Sequence, residues 1–132
     1  MIDKEIIKIA SNTENHGTLD DHTHFSTLKN AICGDEMKIY LIVKNDKVVN
    51  FKYECESCIY CQASVSLLSR NAKNQSISEI KDFAKQAKNS FDNKISFNKG
   101  WKDFNKIMTN NNIARKECLL LPINAAVHAL RN

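Results

Sequence analysis

The chain has 132 residues, of which 42% are hydrophobic and five are cysteine. That is the length of a single domain, 1–132, with enough apolar residues for a core and fewer cysteines than the roughly 8–10% of a disulfide-built scaffold. Nineteen basic against fifteen acidic residues give a net charge of +4, and the lysines are scattered rather than gathered in a stripe with aromatics, so neither a nucleic-acid footprint nor an acidic tail is read.

The opening, MIDKEIIKIAS, carries charge early and holds no long apolar run, so neither a secretory leader nor a membrane span is expected. Its apolar residues Ile2, Ile6, Ile7, Ile9 and Ala10 suit a short amphipathic helix between Asp3 and Ser11. The polar stretch from Asn12 to Asp21, with Gly17, reads as a loop, and His24 to Lys29 as a strand. A hairpin is the clearest local signal. Met37 to Val43 is rich in β-formers, Lys44-Asn45-Asp46-Lys47 supplies turn residues, and Val48 to Tyr53 follows, with Val49, Phe51 and Tyr53 expected on one face. Helices come next. Gln62 to Lys73 carries Ala63, Val65, Leu67 and Leu68, and Ser76 to Lys88 opens on a Ser76/Glu79 capping box. Asn89 to Gly100 is irregular, and Trp101, Phe104, Ile107 and Met108 suit a short helix. The tail from Cys118 to Leu130 shows an apolar helical stripe, with Pro122 expected in its first turn and Cys118 close to its N-terminus. The class predicted is α+β: an N-terminal helix, a small three-stranded antiparallel sheet, then a run of helices packed on one face.

The cysteines carry the chemistry. In a reducing cytoplasm, where this chain is expected, clustered thiols serve as metal ligands or reactive groups. Cys55, Cys58 and Cys61 form a C-x2-C-x2-C run, but Val65 and Ser66 stand where a ferredoxin-type motif needs its fourth Cys and Pro. No second CxxC pair or HxxxH completes a zinc finger. Buried thiols are the plain alternative, since free Cys packs well. Cys33-Gly34-Asp35 adds a thiol and a carboxylate at i and i+2 around a flexible glycine. Zinc accepts such a mixture of sulfur and oxygen ligands. His16, His22, His24 and His128 read as surface or packed histidines.

Taken together, Asn30-x-x-Cys33-Gly34-Asp35, the run from Asn50 to Cys58, Ala63-Ser64-Val65-Ser66 and Ala114-Arg115-Lys116-Glu117-Cys118 resemble the U-type iron–sulfur cluster assembly proteins: the NifU N-terminal domain, IscU and SufU. The resemblance spans about Asn12 to Leu130. It implies that Cys33, Cys58 and Cys118, joined by Asp35, bind zinc or a transient [2Fe–2S] cluster. Cys55 and Cys61 then stand as additions, either incidental thiols near the site or extra ligands. The chain lacks a Leu-Pro-Pro-Val-Lys stretch and a His before Cys118, and the segment from Asn74 to Cys118 is long, as in the SufU type. Ile9 and Ala10 replace the family's usual His-Tyr pair.

The function implied is that of a cluster scaffold, or of a zinc-bound acceptor of sulfur from a cysteine desulfurase, serving iron–sulfur client or carrier proteins. It would be a sulfur-transfer partner rather than a stand-alone enzyme. Cys118, at a helix start, is the candidate persulfide acceptor, and Arg115 its candidate charge partner. Three thiolates and a carboxylate sum to about −4, and a divalent zinc leaves about −2, so nearby cations matter. A zinc-stabilised interaction or nucleic-acid-binding module is the alternative and predicts salt-dependent nucleic-acid binding. A thiol redox protein using Cys58 and Cys61 is a third.

Overall fold

Strand patterning builds the scaffold on which the cysteines are mounted. The computed structural model describes residues 3–31, 34–93, 96–97 and 99–131. Three strands, β1 (His24–Lys29), β2 (Glu36–Lys44) and β3 (Lys47–Glu56), pair antiparallel in the order β1-β2-β3. Met37, Ile39 and Leu41 of β2 alternate with polar neighbours and are fully buried on one face. That alternation is what a sheet with one covered face requires.

The β2–β3 turn has Asn45 at φ 52° and Asp46 at φ 67°. Two central residues with positive φ match the right-handed twist of the flanking strands, and Asn and Asp tolerate it better than other non-glycine residues. One detail differs from the sequence expectation. Val49 is 42% exposed, and Val48 is buried in its place. The pairing skips from Ile42↔Asn50 to Val43↔Val48, so Val49 is an extra residue in a bulge. The bulge reverses the alternation at the hairpin end, while Phe51 and Tyr53 keep their inward positions. The loop after the next helix pins Val48, whose N–H donates to Gln75 O (3.0 Å) and whose carbonyl accepts from Asn74 N (2.7 Å).

Among the described residues there are four α-helices, the second and fourth packing on the sheet, the first on the second and the third on the fourth. The first, α1 (Lys4–Ala10), begins at Asp3, whose Oδ1 accepts from Glu5 N at 2.9 Å. It buries Ile6, Ile9 and Ala10 and leaves Ile7 exposed. Next comes α2 (Ile59–Asn71), which starts three residues before the sequence expectation and is buried almost throughout from Cys61 to Ser69. The capping box forms as expected at the head of α3 (Ile77–Asn93): Glu79 N donates to Ser76 Oγ and Ser76 N to Glu79 Oε1. This helix continues past Lys88 because Ser90 and Phe91 are buried. The short helix expected around Trp101 is a 3-10 segment, Lys99–Lys106, and a second one spans Asn110–Arg115. Trp101 stacks on Phe83 with centroids 4.0 Å apart and planes 8° apart, and Phe97 and Phe104 close the cluster.

The last helix, α4 (Lys116–Ala129), packs on α2, α3 and the β1–β2 side of the sheet. Pro122 is its seventh residue, not a first-turn residue. It cannot donate to the Cys118 carbonyl, so one helix hydrogen bond is missing there, although α4 runs through Pro122 without a break. The fold is the predicted α+β arrangement. Among the described residues no helix is long and apolar enough to cross a membrane.

Candidate metal centre

Three segments meet at one end of the sheet. The first is the β1–β2 connection. Asn30 N donates to Asp35 O, and Gly34 N to Asn30 O, both at 2.8 Å, closing the loop upon itself. Gly34 holds φ +75°, the left-handed region that a side chain would strain. This turn carries Asp35 inward until only 6% of it is exposed. Cys33 lies outside the described residues.

The second segment is the start of α2. Cys58 is its N-cap, with extended backbone at φ −69° and ψ 167°. The Cys58 amide, one of the donors a helix start leaves unpaired, gives its hydrogen to Asp35 Oδ1 at 3.2 Å. The third is the start of α4, where Cys118 is the third helical residue and 5% exposed. Ser64 ties the two helices together, its hydroxyl donating to Leu119 O at 2.6 Å. Ser66 holds the loop after α1 through Asn12 O at 2.7 Å, and Ser26 anchors β1 to α4 through Ala125 O at 2.6 Å. These buried hydroxyls explain why small polar residues occupy such interior positions. Of them, Ser64 and Ser66 were legible as an Ala-Ser-x-Ser signature but not as clamps.

One carboxylate oxygen of Asp35 and the thiol sulfurs of Cys58 and Cys118 all lie within 4.8 Å of one another. Ligands on a shared tetrahedral zinc stand about 3.3–3.8 Å apart, given metal–ligand distances of about 2.0–2.3 Å. The limit of 4.8 Å is about 1 Å wider than that, so the three ligand atoms would draw together around an ion. Among the described residues Asp35 Oδ2 is buried with no hydrogen-bond partner. An orphaned carboxylate oxygen is costly unless something electropositive completes it, and a metal ion is the group that fits between an oxygen and two sulfurs.

The two remaining described thiols are different. Cys61 lies in the first turn of α2 but is fully buried in the core. Burial pushes its thiol far above the ordinary range, and the nearby Ser57 hydroxyl opposes that only in part. Cys55, at the end of β3 opposite Met37, is half-buried. Burial raises it too, and the Ser57 hydroxyl again works against the rise. Both are held as neutral thiols at ordinary pH, unlike a thiol poised to attack. That disfavours a Cys58–Cys61 redox pair.

Arg115 sits at the N-cap of α4, exposed, with its guanidinium carbon 5.3 Å from the centroid of the Tyr60 ring. Tyr60 is two residues past Cys58, and Arg115 three before Cys118. The contact therefore bridges the two helix starts that carry the thiols. Tyr60 gave no signal in the sequence, because nothing there fixes which side of α2 faces α4. His16 makes an edge contact with Tyr53 (5.6 Å), and His22 an edge contact with Tyr40 and a tilted one with Phe25. No described histidine belongs to the metal-competent group.

Comparison with known proteins identifies the fold and the family. The NifU-like N-terminal domain matches residues 1–93. The iron–sulfur cluster assembly scaffold protein IscU of Thermotoga maritima is 33% identical over 87 residues, which cover 66% of this chain and 61% of that protein. Two IscU scaffold proteins of Archaeoglobus fulgidus are each 28% identical over the same length, 57% of their own chains. The matched stretch thus spans about three-fifths of these relatives. Among solved structures, the N-terminal part of a NifU-like protein from Brucella abortus superposes with a TM-score of 0.90 at 23% identity, covering 98% of this chain and 91% of that one. An iron–sulfur cluster assembly scaffold protein of the SUF system from Fervidobacterium islandicum gives 0.86 at 25% identity, with 98% and 96% covered. With a family model spanning more than half its length, and a fold to match, this chain belongs to the NifU-like N-terminal domain family.

Proposed function

We propose that this chain assembles or relays iron–sulfur clusters in the cytoplasm, and that Asp35, Cys58 and Cys118, with Cys33 as the fourth ligand, hold the metal or cluster. The observation that carries the reading is the convergence of one carboxylate and two thiols within 4.8 Å around an orphaned carboxylate oxygen. The IscU relatives, described as scaffold proteins, point the same way. Two versions use the same residues. In one the site builds a transient [2Fe–2S] cluster as cargo for client or carrier proteins. In the other it holds zinc, and Cys118 accepts sulfur from a cysteine desulfurase.

The chemistry of the donor set suits a temporary cargo. All-thiolate zinc sites are closed. A hard oxygen ligand among soft ones is the easier to displace, so Asp35 is the ligand that lets cargo leave. In the acceptor version, the Cys118 thiolate attacks the outer sulfur of the desulfurase persulfide. The old S–S bond breaks, a new one forms on Cys118, and the desulfurase cysteine leaves as thiolate, so no external oxidant or reductant is needed. Zinc, when bound, would keep the thiols deprotonated. Arg115, beside the start of α4, offers positive charge against the anionic site.

The test is metal analysis of anaerobically purified protein, with desulfurase turnover measured in its presence and absence. Iron and sulfide bound in stoichiometric amounts support the scaffold version. Zinc with stimulated turnover that Cys118→Ser abolishes supports the acceptor version. Neither metal nor stimulation overturns the reading.

A further inference from the structure

Away from the cysteines, a groove of about 550 Å3 lies between α3, α4 and β1. Its charge is one-sided. Lys81, Lys85 and Lys88 line it from α3, and Arg131 lines it just past the end of α4. The three lysines fall at i, i+4 and i+7, so they stand in one row along about 10 Å of helix. No carboxylate occurs among its described lining residues, and none of these four cations forms an ion pair among the described residues. Between the cations the wall is mixed: Leu28 from β1, Ala84 from α3 and Val127 from α4 give it an apolar strip, and Asn124 and His128 of α4 give it polar groups. Like charges held in one row repel one another, and beside an apolar strip they invite an opposite charge with an apolar flank.

We propose that this groove docks an acidic amphipathic helix of a partner protein. Carboxylates spaced i, i+4 and i+7 on such a helix meet the lysine row, and its apolar flank covers Leu28, Ala84 and Val127. A single-stranded nucleic acid suits the groove less well, because His128 is the one ring among its described lining residues and gives no platform for successive bases to stack on. The inference stands apart from the metal centre and does not depend on which cargo that centre holds.

The test is fluorescence anisotropy with the full chain and a labelled synthetic helix of about 15 residues. The peptide carries Glu along one row and Leu along the adjacent one. Saturable binding is expected, weakened about tenfold in the Lys85→Glu, Lys88→Glu double variant. Both lysines are exposed, so the fold tolerates the change. Lys102→Glu, an exposed lysine outside the groove, is expected to bind as the parent does. Amide shifts in the labelled protein should centre on Leu28, Ala84 and Val127. Absence of saturable binding, an equal loss in Lys102→Glu, shifts centred elsewhere, or tighter binding of a labelled single-stranded oligonucleotide would each overturn the proposal.

Discussion

Asp35 is where folding and chemistry pull in opposite directions. One of its oxygens caps the α2 start through Cys58 N, and the other is buried without a partner among the described residues. The first is a gain for the fold, and the second is a cost borne for the site. Asp35→Asn separates the two. It keeps an oxygen for the Cys58 amide and removes the carboxylate. In the presence of a chelator, the unfolding free energy is expected to rise by about 1 kcal/mol. Zinc affinity is expected to fall about tenfold or more. Denaturant titration and a competitive zinc assay read the two effects. An unchanged affinity would remove Asp35 from the ligand set. Asp35, Cys58 and Cys118 were singled out by the resemblance to the U-type family, which left Cys61 as an addition, either an incidental thiol or an extra ligand. That distinction depends on where α2 starts. A helix beginning at Gln62 leaves Cys61 in a loop beside Cys58, whereas a helix beginning at Ile59 turns Cys61 into the core.

At the scale of elements, the legible signals were those whose two partners lie close in sequence. Ser76 and Glu79 are three residues apart and form the capping box as expected. Asn45 and Asp46 announce the hairpin, and positive φ at both bears that out. The bulge at Val49 was not legible. Val48 and Val49 are the same residue type, so local composition cannot say which points inward. The choice is made by distant backbone, the bonds of Val48 to Asn74 and Gln75. Pro122 is similar, since its residue type favours a first turn, whereas the helix starts far enough upstream to make it the seventh residue. The bulge predicts an asymmetry between identical neighbours. Val48→Ala is expected to cost about 1–3 kcal/mol, because it empties a fully buried position. Val49→Ala is expected to change stability by less than about 0.5 kcal/mol. Equal costs from urea denaturation would mean that the strand alternates without a bulge.

For the molecule as a whole, the candidate centre joins parts of the chain that are far apart in sequence. The β1–β2 loop, the start of α2 and the start of α4 supply Asp35, Cys58 and Cys118. An ion bound to all three therefore cross-links the native state and has no equivalent preformed site in the unfolded chain. By mass action, free zinc at about a thousand times its dissociation constant should add about 4 kcal/mol to the unfolding free energy. Trp101, the only tryptophan, gives an optical reporter, because it is buried against Phe83 of α3, and α3 in turn packs on α4. Thermal unfolding followed by its fluorescence should shift upward with zinc and return with chelator. Cys118→Ser should lose most of the shift, because it breaks the link to α4, whereas Cys61→Ala should retain it at a lower starting stability. If Cys61→Ala instead abolished the zinc shift, the buried thiol would be a ligand and the centre would have to be built around α2 rather than across α2 and α4.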